Sequence, residues 1–310
     1  MTSGPSGTRR GGARRVPADS VAALVAACAA RLEAARVYFG HGTATARDEA
    51  AALVFHVLRL DHADAARAYA LPVTDAGRAA VEELLTARIA TRRPLPYLTG
   101  EAWFAGLPFH VDDRVLVPRS PFAELVAARF APWIDPAGVH RILEIGTGSG
   151  CIAVALALAW PEARVVATDI SAAALEVAAR NVARHGVGGR VQLLEADLFA
   201  GVSGRFDLIV SNPPYVPEAE VATLPPEYGH EPVLALASGT DGMETPARIL
   251  HHAAGFLRPQ GWLALEVGAG AATLEARFPT VPFIWPEFVH GGDGIALASA
   301  ADLRVLADQH

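Results

Sequence analysis

A chain of 310 residues that is 52% hydrophobic and 19% charged is long enough for one large domain or a large and a small one, and too apolar to be a disordered protein. Its apolar runs, such as CIAVALALAW, fall short of the roughly 18 residues needed to span a bilayer, so no membrane partner is expected. The net charge of −7 is uneven: residues 1–16 carry Arg9, Arg10, Arg14 and Arg15 and no acid, which leaves 22 basic against 33 acidic residues, or −11, in the rest, a body that repels nucleic acid and suits a basic partner.

In chain order, the Gly/Ser/Arg-rich stretch 1–18 reads as a disordered tail, with a transit peptide or an RNA-touching arm as alternatives. Residues 19–96 read as a small helical domain. Asp19 and Ser20 cap a first helix, Thr45 with Asp48 resembles a capping box, and a third helix starts at Thr74 or Asp75 and stops before Pro94. His41, between two glycines, reads as a capping or surface residue, and nothing around it has metal spacing, so no metal is expected. Residues 97–120 read as a β-hairpin connector. From 121 to 310, strands alternate with helices: RILEIG, ARVVATD, RVQLLEA, FDLIVS, WLALEVG and a closing hairpin of VPFIWPEFV and GIALAS. That order predicts an α/β, doubly wound, mostly parallel Rossmann-like sheet with an antiparallel strand at its C-terminal end. Cys28 and Cys151 form neither a disulfide framework nor a metal cluster, which fits a cytoplasmic protein.

The turn after the first of these strands, Glu144-Ile-Gly146-Thr147-Gly148-Ser149-Gly150, brings a glycine backbone close to any ligand at the following helix N-terminus. Its G-x-G-x-G spacing differs from the G-x-G-x-x-G of a dinucleotide site, which disfavours a nicotinamide dehydrogenase. Asp169, next to Ile170, ends the second strand and is placed for ribose hydroxyls. Asp197 and Leu198 follow the third and are placed for an adenine amino group and ring. The chain has no lysine, hence no Walker-type lysine, so the expected ligand is an adenosine without phosphates: S-adenosyl-L-methionine.

The fourth strand runs into Asn212-Pro213-Pro214-Tyr215. Proline cannot continue a strand, so the chain bends rigidly where ligands of such sheets collect. The Asn212 side-chain oxygen and the Pro213 carbonyl can accept the two N–H groups of a planar –NH2, and Tyr215 can stack on it. The nitrogen is thereby aimed at a methyl donor, with negative potential where positive charge develops. Adenine N6, guanine N2 and a glutamine amide all satisfy this turn.

PYLTGEAWFAGLPFHVDDRVLVPR, EIGTGSGCIAVALA, DIS, SNPPYV and LPPEYGHEPVLALASGTDGM together resemble the protein N5-glutamine methyltransferases, the HemK/PrmC and PrmB group, from about residue 19 to 300. The resemblance implies a class I S-adenosylmethionine-dependent methyltransferase that acts on a glutamine side chain of the translation machinery. VPRSPFAEL, VYFGHGT and EAWF look like the branch that acts on ribosomal protein L-three; release factors are the alternative substrate, and an adenine-N6 nucleic acid methyltransferase a more distant one. Carried over by position, Asn212–Tyr215 form the amide clamp, while Glu144, Gly146–Gly150, Asp169, Ile170, Asp197, Leu198 and Asn212 hold the cofactor. Arg119 and Glu124 line the entrance. Leu198 departs from the aromatic residue common in the release-factor branch, and the arginine-rich tail has no counterpart. The long 216–242 segment is expected to be anchored by Tyr228, His230 and Glu231 and to form a wall of the substrate channel.

Overall fold

A computed structural model describes residues 17–289 and 291–307; the stretch 1–16, read from sequence as part of a disordered tail, lies outside the described residues. The described residues divide into two compact units, one of residues 17–39 together with 43–91, the other of residues 40–42, 92–289 and 291–307.

The first unit is helical. Its main helices are Val21–Ala34, Ala46–Leu58 and Asp75–Thr91. Ser20 accepts the Ala23 N–H and Thr45 the Asp48 N–H, and Thr74 does the same for Gly77, so each helix begins on a hydroxyl cap. Leu32, Leu53, Val54, Val81 and Leu85 are buried between them. The fully buried Arg88 donates its Nε–H to Glu49 at 2.8 Å and an Nη–H to the Tyr38 carbonyl at 3.0 Å. A buried charge is tolerable only when paired in this way.

In the second unit the short helix Leu95–Thr99 leads into a hairpin, β1 (Glu101–Phe104) and β2 (Leu107–His110), closed by Ala105 and Gly106, both at positive φ as a two-residue turn requires. The main sheet has six strands: β3 (Arg141–Ile145), β4 (Arg164–Asp169), β5 (Val191–Glu195), β6 (Phe206–Ser211), β7 (Leu257–Glu266) and β8 (Ile295–Ser299), in spatial order β5-β4-β3-β6-β7-β8. All neighbours are parallel except β7 and β8. The two-residue period of a strand splits its apolar residues between faces. Ile142, Leu208, Val210 and Leu297 join the core under the helix Cys151–Ala159. Leu143, Ile209, Leu263 and Leu265 join the core under Glu244–Phe256 and the C-terminal helix. With both faces covered, the strands read as continuous apolar runs, which is why they were visible in the sequence.

One predicted element is corrected. The segment 281–289 is not a strand: Ile284 alone exchanges backbone hydrogen bonds with Leu297, at 2.9 and 2.8 Å. Pro282 and Pro286 bracket it and cannot donate to a ladder, so pairing cannot spread. The antiparallel partner of β8 is instead β7. Among the described residues no helix is long and apolar enough to cross a membrane.

The sheet grows in one direction through β4 and β5 and in the other through β6 and β7, so the topological switch lies between β3 and β6. A crevice opens there at the carboxyl ends, the position where open α/β sheets bind ligands.

Candidate active site

A cleft of about 230 Å³ lies at this switch point. Gly146, Gly148 and Gly150 all have positive φ, the region that favours glycine. A Cβ on Gly150 would also sit 3.1 Å from the Ala178 Cβ, so the turn packs tightly on the helix Ala172–Arg184. Gly146 and Thr147 donate their N–H groups to the Thr168 carbonyl, both at 2.9 Å. Gly148 donates to Asp169 Oδ2 at 2.8 Å and Ser171 to Oδ1 at 2.9 Å. Asp169 is therefore held by two backbone donors while each oxygen keeps a further lone pair. Burial raises its pKa, and those donors partly offset the rise. Glu144, wholly buried beneath the turn, accepts the Thr147 hydroxyl at 2.6 Å, and desolvation pushes its pKa up to about 8.

Ile170, Asp197 and Leu198 also line the cleft, with Ile170 largely exposed. Asp197 is paired with Arg248 at 2.7 Å, a partner the sequence reading missed. Three arginines reach the cleft, and all are occupied: Arg114 by Asp112 and Glu176, Arg119 by Glu231, Arg248 by Asp197. Among the described residues of the cleft this leaves no spare cation for a pyrophosphate, whereas carboxylates beside apolar side chains suit a nucleoside. The donor set fits an adenosyl ligand.

Opposite the glycine turn, the Ser211 hydroxyl donates to the Ile145 carbonyl at 2.8 Å, locking the end of β6 to the end of β3. Ile145 pairs with Ser211, and a Cβ on Gly146 would lie 3.9 Å from the Asn212 carbonyl, so the two turns lie side by side. Asn212, Pro213 and Pro214 face the cleft. Tyr215 does not line it, contrary to its expected stacking role. Its hydroxyl donates to Glu266 Oε1 at 3.1 Å, and its ring lies so close to Gly268 that a Cβ there would come within 2.7 Å.

Arg119 lines the cleft as expected and forms a two-pronged pair with Glu231, at 2.6 and 2.7 Å, with its guanidinium over the Tyr228 ring. Glu231 also accepts the Val117 N–H at 3.0 Å, and His41 Nε2 lies 3.4 Å from its other oxygen. Burial opposes the charged form of Glu231, but the hydrogen bonds and charges of His41 and Arg119 outweigh it and hold the pKa at about 2. Tyr228 and Glu231 thus anchor the 216–242 segment. His41, expected at the surface, is buried against them, because its flanking glycines let the loop turn inward. Glu124 is not part of the cleft lining: it sits opposite the buried Phe122, Leu125 and Val126 of its helix and accepts the Val289 N–H at 2.9 Å. Ser120 and Glu266 carry no sequence signal as a pair. Glu266 is only the last residue of an apolar strand.

Residues 129–224 match the methyltransferase small domain family, and residues 23–100 match the PrmC N-terminal domain family. The chain is 46% identical over 283 residues, 91% of its length and 95% of the relative's, to a ribosomal protein uL3 glutamine methyltransferase from Bordetella pertussis. It is 44% identical over 265 residues to a protein of the same name from Neisseria gonorrhoeae, covering 85% and 88% of the two chains. Among solved structures, the hMettl16 catalytic domain in complex with a 3′UTR hairpin shares the fold, with a TM-score of 0.51 at 17% identity over 73% of this chain and 82% of that one.

Proposed function

This chain belongs to the ribosomal protein uL3 glutamine methyltransferase family, and from that premise we propose that it transfers a methyl group from S-adenosylmethionine to the side-chain N5 of a glutamine in uL3, in the cytoplasm. The observation that carries this reading is the juxtaposition of two turns at the β3–β6 switch point. One is built to cradle a nucleoside; the other presents Asn212 and the Pro213 carbonyl beside it.

Asp169 takes the ribose hydroxyls with its remaining lone pairs. Asp197, Leu198 and Ile170 take the base, and the Gly146–Gly150 backbone takes the rest of the cofactor. When bound, S-adenosylmethionine supplies an electrophilic methyl group. The chain's own task is to make an unreactive amide nitrogen a nucleophile. Resonance delocalises the amide lone pair, which stands perpendicular to the amide plane, so the planar –NH2 must be held with that face aimed across the cleft at the methyl group. The Asn212 Oδ1 and the Pro213 carbonyl accept its two N–H groups, fix its orientation and put negative potential where positive charge grows. Both acceptors sit on a backbone stiffened by consecutive prolines, which lowers the entropy cost of holding that geometry. The nitrogen becomes acidic only once it carries the methyl, so water can remove the proton and no buried base is required.

The acidic body of the chain complements a basic ribosomal protein. The N-terminal helical unit supplies substrate recognition, and the 216–242 segment forms a wall beside the incoming glutamine loop. The test is to offer methyl-labelled S-adenosylmethionine with purified uL3, a release factor or nucleic acid, and to map the label by mass spectrometry. A single methyl on a uL3 glutamine is expected. Label on adenine, or on the release factor alone, overturns the reading.

A further inference from the structure

Glu266 ends β7 and is almost fully buried, although its sheet neighbours are apolar. Both of its oxygens are in use. One accepts the Tyr215 hydroxyl at 3.1 Å, and the other accepts the Ser120 hydroxyl. Tyr215 closes the amide-binding turn, and Ser120 lines the cleft next to Arg119. Ser120 also accepts the Phe122 N–H at 3.1 Å, so it ties the connector to the helix that follows. The Tyr215 ring is boxed by Gly268, and Gly268 in turn lies against Gly294, where no side chain fits. Nothing in this arrangement touches a reacting atom, yet it joins the two walls between which the acceptor nitrogen must be held.

We propose that Glu266 is a positioning residue for methyl transfer: through the Tyr215 and Ser120 hydroxyls it braces the Asn212–Pro214 turn against the Val117–Ser120 wall. Tyr215 then serves as a strut rather than a stacking face. This role presupposes that Asn212–Pro214 hold the acceptor amide. A carboxylate suits the task because it accepts from two hydroxyls at once without donating. Burial pushes the pKa of Glu266 up to about 7, against which the Ser120 and Tyr215 hydroxyls and nearby Arg119 favour the ionised form; the ionisation of Tyr215 itself is suppressed by burial and by this carboxylate. A glutamine in its place keeps the volume but turns one acceptor into a donor.

Steady-state methylation of uL3 and S-adenosylmethionine binding by calorimetry test this on the full chain. For Glu266→Ala, kcat is expected to fall about tenfold or more, with cofactor affinity changed less than about twofold. Glu266→Gln should fall between wild type and Glu266→Ala, which keeps the test open if the alanine variant folds poorly. Tyr215→Phe and Ser120→Ala should each lose a few-fold in kcat. Adding Tyr215→Phe to Glu266→Ala should cost nothing further, because one brace is already gone. The inference is overturned if Glu266→Gln keeps the wild-type kcat, if the loss lies in cofactor affinity, or if the Tyr215 and Glu266 effects multiply. An inactive wild type with uL3 would instead overturn the substrate assignment, so the two failures are distinguishable.

Discussion

The two halves of the cleft are built by different means. The nucleoside half is built around a backbone cradle of glycines at positive φ, N–H groups given to Thr168 and Asp169, and a helix start, with the Asp169, Asp197 and Leu198 side chains set at the ends of neighbouring strands. The acceptor half is made of side chains that meet from far apart in sequence. Arg119 and Glu231 are separated by 112 residues, Ser120 and Glu266 by 146, and Tyr215 and Glu266 by 51. The backbone cradle itself depends on glycine being kept rather than on the other side chains of the turn. A side-chain brace fails when one partner of a buried pair is removed.

The largest expected effect breaks the acceptor half alone. Asn212→Ala should slow methylation about 10²–10³-fold, or roughly 2.7–4 kcal/mol of barrier, by analogy with loss of one oxyanion-hole group, while calorimetry finds cofactor affinity nearly unchanged. On the other side, Asp169→Asn should weaken cofactor binding, since an amide must present a donor where Gly148 or Ser171 already donates, with a loss of about tenfold read as a raised KM for S-adenosylmethionine.

Stability separates the halves in a second way. Glu231→Ala strands Arg119 and should destabilise the second unit by about 3–5 kcal/mol, read as a lowered midpoint in denaturant. The pH dependence has opposite signs in the two places. Glu231 has a native pKa of about 2, below the ordinary 4.5, so its stabilisation is present above pH 4.5 and lost as pH falls toward 2. Glu144 has a native pKa of about 8, above 4.5, so its stabilisation is present below pH 4.5 and is lost as pH rises toward 8. Glu144→Gln should therefore flatten the fall in stability between pH 4.5 and 8, and Glu231→Gln should flatten the fall below 4.5. The smallest effect is expected from Leu198→Phe, which adds ring surface beside the base and should tighten cofactor binding only a few-fold at most.

What could be read from sequence follows the same division. Gly146–Gly150 and Asp169 lie on short, regular spacings, and their strands are continuous apolar runs, so the sheet and the nucleoside half were legible. Asn212 and Pro213 were legible because proline at a strand end has few explanations. Glu266 was not, since a single glutamate closing WLALE carries no period and its partners are remote. His41 was misread for the same reason: only the fold brings Glu231 to it. The failed strand at 281–289 shows the reverse error, where β-branched and aromatic residues were weighed above two prolines.

Transfer of labelled methyl to purified uL3, mapped by mass spectrometry for the wild type and Asn212→Ala, tests the central claim most directly. One methyl on one glutamine side-chain nitrogen is expected with the wild type, and labelling slowed about 10²–10³-fold with the variant, although the variant still binds S-adenosylmethionine. Undiminished labelling by Asn212→Ala, or label on any atom other than a glutamine nitrogen, would contradict it.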